Sequence, residues 1–347
     1  MLESIQDLQR LVISGEINWE QYGDVRASYQ DEFVLFNYLA KAQYANRWNW
    51  FELNSRGLIL HVKTGEIVAR PFPKFFNWSE YGRTTDAPIK FITEKIDGSL
   101  GILYRANGDY RIATRGAFAG EQALWATDYL RDHFALPGLA NELTLLFEIV
   151  YPDNRIVVNY GDREDLILLG ARNRFTGDML PLESVRELAA QYGFNMPTSY
   201  DFSSVDDMIE AAGVLTAEHE GWVATFEDGS IFKFKGTLYQ MANRLLIGVT
   251  FNHVLDAIAN GQFDSLIEGV PDEFLTVVRE HQQKIEATVA EVTSFVEQEM
   301  RSAPTESRRD FALWVQGRYK GVMHTSYFFA ALDGKPLAPL IYKHAFE

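Results

Sequence analysis

Lys95-Ile96-Asp97-Gly98-Ser99 sets an amine at the end of an apolar run and follows it with an Asp-Gly pair that favours a tight turn. A lysine in that position is held at the mouth of a sheet, and its amine becomes a nucleophile once it is deprotonated near neutral pH. Neighbouring cations promote that deprotonation, and Phe232-Lys233-Phe234-Lys235-Gly236 supplies two on one side of a strand. Each feature also has a plainer reading: a hairpin with a solvated lysine, and an edge strand guarded by lysines. Glu148 and Glu220 each end an apolar, strand-like run, where a carboxylate is costly unless it has a partner; both also read as ordinary salt-bridge residues. The chain has no cysteine, and its seven histidines show no ligand spacing, so a zinc site is excluded while oxygen-ligated Mg²⁺ is not.

These residues need a scaffold. From about residue 29 to 236 short apolar or alternating runs, such as GLILHVKTGEIVARP and EGWVATFEDGSIFKFKG, are broken by Gly, Asp and Asn. Thr64-Gly65, Asn107-Gly108 and Asp228-Gly229 give hairpin signals. Helices are expected at the N-terminus, where Leu2, Ile5, Leu8, Leu11 and Val12 recur, and at Gly120 to Phe134, Pro181 to Tyr192 and Val205 to Leu215. This first region reads as α+β with mostly antiparallel sheet. Beyond about residue 237 the periodicity is helical; Val278, Ile285, Val289, Val292 and Val296 share one face, and Pro271-Asp272 offers a helix start. A first domain over 1–243 and an all-helical second domain over 244–347 follow.

The 347 residues carry 47% hydrophobic and 14% aromatic side chains, which excludes a disordered chain. No apolar run approaches the roughly 18 to 20 residues that would span a bilayer, and the N-terminus has no signal-peptide pattern, so no membrane and a cytoplasmic setting are expected. The net charge of -16 argues against general nucleic-acid binding, yet it is unevenly spread. Residues 51–120 hold ten basic and seven acidic side chains, residues 301–347 seven and four, and residues 245–300 two and ten. Any phosphate-handling surface has to be local.

Five elements stand in a fixed order: Ser55-Arg56-Gly57, KIDGS at 95–99, Phe147-Glu148-Ile149, Glu220-Gly221-Trp222-Val223 and FKFKG at 232–236. The series resembles the covalent nucleotidyltransferase superfamily of polynucleotide ligases and capping enzymes, with KIDGS, FEIV, EGWV and FKFKG at its motifs I, III, IV and V. ARPFPKFFN, PDNRIVVNY, LILLGAR and DGSIFKFKGTLY narrow the resemblance to the T4 RNA ligase 1 family, over about residues 30 to 240.

The resemblance implies a nucleotidyltransferase domain of antiparallel sheets with flanking helices, ATP-grasp-like, before a small all-α domain. It implies an ATP-dependent RNA ligase in which Lys95 takes AMP from ATP, passes it to an RNA 5′-phosphate and joins that end to a 3′-hydroxyl, with Lys233 and Lys235 assisting. Glu148 would bind the ribose hydroxyls, and Glu220 would help coordinate Mg²⁺ or Mn²⁺. Arg56 and Lys74 would contact phosphates, and Phe76, Asp97, Gly98, Arg115, Gly221 and Tyr239 would complete the nucleotide site. Arg115 stands where the family has lysine, and Phe36 where a tyrosine is expected. The partners implied are RNA ends, with repair of cut tRNA as one use, met by a monomer whose RNA face lies in the basic tail with Arg308, Arg309, Arg318 and Lys320. A GTP-dependent capping-type guanylyltransferase and a non-catalytic RNA-end-binding protein are the alternatives, the first disfavoured because no all-β segment follows FKFKG.

Overall fold

The computed structural model describes residues 2–247, 250–270 and 275–346. Contacts divide the chain into two compact units, Met1–Ile247 and Gly248–Glu347, with the dividing point four residues past the boundary read from the sequence.

The first unit is built on three sheets. Val25–Gln30, Phe33–Tyr38, Arg56–His61 and Ile67–Ala69 form an antiparallel sheet in chain order. One face is covered by the helix Ile5–Ile13, whose Ile5, Leu8 and Val12 pack with Val34, Phe36, Phe51 and Leu60. Ser4 caps that helix by accepting from the Asp7 amide. The other face meets the second sheet, ordered Asp165–Asn173, Leu143–Val150, Ser99–Ala106, Asp109–Thr114, through Leu35, Ile59, Ile102 and Leu146. The helices Glu121–His133 and Leu182–Tyr192 cover the far side of this second sheet. The third sheet runs Ser199–Tyr200, Ile89–Glu94, Gly221–Phe226, Ile231–Lys235, Phe76–Asn77, and only its last pairing is parallel. The helix Val205–Val214 packs on it through Met208 and Ala212.

Two of the three turn signals differ usefully from the Asp97-Gly98 signal. Asn107 and Gly108 both have positive φ and join adjacent strands, as a two-residue hairpin requires. Gly229 likewise has φ of 83° between Gly221–Phe226 and Ile231–Lys235. Residues 95–98, by contrast, form no hairpin: the strand before them belongs to the third sheet and the strand after them to the second, so KIDG is a crossover. Gly98 does not have positive φ; it is required because a Cβ there would sit 2.5 Å from the Ile149 carbonyl oxygen.

The second unit is helical throughout its described residues, with Phe251–Ala259, Phe263–Gly269, Leu275–Met300, Arg308–Tyr319, Ser326–Leu332 and Ala338–His344. Val278, Ile285 and Val296 of the long helix are buried and Val289 and Val292 partly so, as their spacing requires. The Pro271-Asp272 helix start lies outside the described residues. No helix among the described residues is long and apolar enough to cross a membrane.

Candidate active site

Lys95 follows directly on the strand Ile89–Glu94, and its amide donates to the Gly221 carbonyl at 2.8 Å. That bond fixes the Lys95 backbone to the neighbouring strand Gly221–Phe226. Gly221 has φ of 134°, and a Cβ there would lie 1.9 Å from the Phe234 carbonyl oxygen, so no other residue fits without moving a strand. Glu220, just before it, spans two cations: Oε2 lies 2.7 Å from Lys95 Nζ, and Oε1 lies 2.8 Å from Lys235 Nζ. Lys95 keeps 20% of its side chain exposed, against 6% for Lys235 and 3% for Glu220, so of the three it is Lys95 that can reach a substrate. Burial works against the Glu220 charge, but the Lys235 and Lys95 ammoniums outweigh it and hold the carboxyl below the usual glutamate value.

Ile231–Lys235 is not an edge strand. It lies between Gly221–Phe226 and Phe76–Asn77, which removes the reading of lysines as edge guards. Lys233 Nζ sits 5.0 Å from the centroid of the Phe75 ring, which also carries the Arg56 guanidinium at 5.6 Å. Burial first, and then the cations Lys74, Lys235, Arg56 and Lys95, push Lys233 well below the ordinary lysine value. Sequence reasoning expected Lys233 and Lys235 to act in this way on Lys95. The structure instead gives the crowding to Lys233 and gives Lys95 a carboxylate.

Glu148 lies within Leu143–Val150, opposite Leu100 and Ile167, and is buried. Burial raises it to about 7, with Lys95 opposing and Glu220 adding to the rise. Asp97 is buried and its oxygens are committed within the protein. Oδ2 accepts from the Val157 and Val158 amides at 2.9 and 2.8 Å, and Oδ1 accepts from the Tyr239 hydroxyl at 2.8 Å. Burial and the nearby Glu220 still push Asp97 above the usual aspartate range. Asp97 and Tyr239, both expected at a nucleotide, thus face each other and anchor the crossover to the 157–158 loop and to the helix Thr237–Ile247.

Lys74 is buried among three rings, Tyr38, Trp48 and Phe76, at 5.2, 5.4 and 5.4 Å. Phe76 also carries Arg83 at 4.1 Å on its ring, so it is a partner of cations in this structure. Arg115 donates to the Tyr38 hydroxyl at 3.1 Å. Its backbone passes close to Gly57, the residue after Arg56, where φ is 93° and a Cβ would lie 3.3 Å from the Arg115 Cα. Phe36 is fully buried against Trp19 and Phe51, so the hydroxyl missing there would have pointed into an apolar core. The structure therefore brings Arg56, Lys74, Lys95, Arg115, Glu148, Glu220, Lys233 and Lys235 to one region.

Tyr38, Trp48 and Phe75 were not found from sequence, because no spacing marks rings drawn from separate segments. Arg172 was also missed, although it ends the apolar LILLGAR run. Buried in Asp165–Asn173, it bonds the Pro71 carbonyl and the Gly177 carbonyl, and burial followed by the nearby Arg70 lowers it to about 10. It steadies the 70–76 strap that presents Lys74, Phe75 and Phe76.

Among the described residues no three His, Cys, Asp or Glu side chains group as they would to hold a metal ion. Glu220 offers a single carboxylate, which is the share Mg²⁺ commonly takes from protein when substrate phosphates and water supply the rest.

The sequence is similar to those of known proteins. A protein of Autographa californica nuclear polyhedrosis virus, provisionally named a bifunctional polynucleotide kinase/RNA ligase, is 31% identical over 53% of this chain and 30% of its own length. A provisionally named RNA ligase of Thermovibrio ammonificans is 32% identical over 54% of this chain and 52% of its own. The RNA ligase of Rhodothermus phage RM378 is 22% identical over 82% of both. The chain thus spans a third to a half of the length of the first two relatives. The sequence profile of the RNA ligase family matches residues 54–240, which is more than half of the chain and takes in Arg56, Lys95, Glu148, Glu220, Lys233 and Lys235. On that match the chain belongs to the T4 RNA ligase 1 family.

Proposed function

We propose that this chain is an ATP-dependent RNA ligase that works through a lysyl-AMP on Lys95. The observation that carries the reading is the grouping of one accessible lysine, held by a buried Glu220, with a row of cations on neighbouring strands. In the first step the neutral amine forms a P–N bond to the α-phosphorus of ATP. The bond to the bridging oxygen breaks, pyrophosphate leaves, and the nitrogen gives its remaining surplus proton to water. Lys233, Lys235, Arg56 and Lys74 would hold phosphate oxygens by position and charge alone, which is the main protein contribution in phosphoryl transfer. A divalent ion, Mg²⁺ or Mn²⁺, would neutralise further phosphate charge, with Glu220 as its protein ligand. Glu148 in its ionised form would accept the ribose hydroxyls, and the AMP would pass to an RNA 5′-phosphate for joining to a 3′-hydroxyl. Repair of cut RNA, tRNA included, is the use proposed for that chemistry.

The test is intact and tryptic mass spectrometry after incubation with Mg²⁺ and either ATP or GTP, beside Lys95→Ala. AMP on Lys95 blocks cleavage there, so one modified peptide running from Phe91 to Arg105 is expected, absent from the variant. A GMP adduct would instead indicate a capping-type enzyme. No adduct with either nucleotide on folded protein would favour an RNA-end binder without catalysis.

A further inference from the structure

We infer that Tyr38 is a positioning residue: its hydroxyl fixes Lys74 and Arg115 for the β- and γ-phosphates of the bound nucleotide. The inference rests on the adenylyl-transfer reading above. Tyr38 ends the strand Phe33–Tyr38 and is 3% exposed. Its oxygen accepts from Lys74 Nζ at 3.3 Å and from Arg115 Nη1 at 3.1 Å. Both cations lie 5.2 Å from its ring centroid, and Trp48 meets the ring edge-on at 5.2 Å. The backbone is fixed as well: the Tyr38 amide donates to Ser55 O at 2.6 Å, beside Arg56, and the Lys74 amide donates to Leu53 O at 2.7 Å.

A phenol hydroxyl carries no charge. It orients two cations without neutralising either, whereas Glu220 spends a carboxylate on Lys95 and Lys235. Two cations drawn to one neutral oxygen repel each other, and an anion lying across both relieves that repulsion. The cations also run in one direction. Lys235 lies beside Lys95 through Glu220, Lys233 follows on the same side of the strand, and Phe75 joins Lys233 to Arg56. The next residue after Lys74 in the chain is that Phe75, and beyond Lys74 stand Tyr38 and Arg115. With the α-phosphorus at Lys95, the row leads the remaining phosphates of a nucleoside triphosphate toward Lys74 and Arg115. An RNA end that already carries AMP brings its own 5′-phosphate to the place of the β-phosphate, but nothing to the place of the γ-phosphate.

Tyr38→Phe removes the shared acceptor and keeps the ring. Lysyl-AMP formation is measured against ATP concentration, and sealing of a chemically pre-adenylylated RNA is measured without ATP. KM for ATP should rise about tenfold with kcat changed less than about twofold, and sealing of pre-adenylylated RNA, which lacks the γ-phosphate, should be affected clearly less. In a double-mutant cycle, the effects of Tyr38→Phe and Arg115→Gln on the ATP KM should be less than additive, because the tyrosine acts in part through the arginine. An unchanged KM, an equal loss in sealing, or additive effects in the cycle would overturn the inference. Should Tyr38→Phe not fold, Tyr38→Leu, which also lacks the hydroxyl and stays apolar, is read in the same assays with the same outcomes. No adduct on the wild-type chain would defeat the adenylyl-transfer reading itself, and this inference with it.

Discussion

Glu148 shows how a single side chain ties the site to pH. Its folded value of about 7 lies above the ordinary 4.5, because burial disfavours the charge. The stability it contributes is therefore full below about pH 4.5 and is lost as pH rises through about 7, at most about 3 kcal/mol in all. The thermal midpoint of the ligand-free chain should fall between about pH 5 and about pH 8, and Glu148→Gln should flatten that fall. Identical slopes for the two proteins would show that Glu148 titrates elsewhere. In the proposed role, with the ionised carboxylate accepting the ribose hydroxyls, nucleotide binding should release a proton near neutrality. The resemblance supplied the ribose role, but the raised value could not be read from the sequence, where Glu148 is one more acid after an apolar run.

At the scale of elements, the site depends on strands from separate parts of the chain meeting at glycines. Gly221→Ala must relieve a 1.9 Å contact with a backbone oxygen and a φ of 134°, a cost of at least about 2 kcal/mol. Moving Phe234 also moves Lys235, so we expect circular dichroism to show a lower melting temperature and mass spectrometry to show little or no Lys95 adduct. A variant with wild-type melting and adduct would mean that the strand yields freely there. Much of this layer was legible beforehand. Asn107-Gly108 specifies its hairpin, the helices over Glu121–His133 and Leu182–Tyr192 follow from periodicity, and the order of the motifs carried the family. The crossover at KIDG was not legible, since an Asp-Gly pair looks the same whether its glycine serves a turn or the close passage of Ile149. The Tyr38 cluster was hidden for a related reason: its members at 38, 48, 74, 76 and 115 meet only through tertiary packing.

For the molecule as a whole, net charge tells little and its distribution more. In the second unit Arg308 is already engaged by Asp333 at 2.8 Å, while Arg309, Arg318 and Lys320 are exposed on or beside the helix Arg308–Tyr319. Arg318 also lies 5.4 Å from the Trp314 ring, a combination suited to a sugar-phosphate backbone. Arg309→Glu with Lys320→Glu should cut RNA joining by about tenfold or more, most strongly at lower salt, and leave Lys95 adenylylation within about twofold. Joining at the wild-type rate across salt concentrations would dismiss the second unit's tail as an RNA surface.

The bonds that complete the site also set an order in time. Lys95 pairs with Glu220 across 125 positions, and Asp97 with Tyr239 across 142. On a ribosome Lys95 therefore emerges long before the carboxylate that holds it and the tyrosine that anchors its loop. A nascent chain halted short of Tyr239 carries Lys95 without the site around it, so the nucleotide chemistry proposed above would have to wait until the whole first unit has been made.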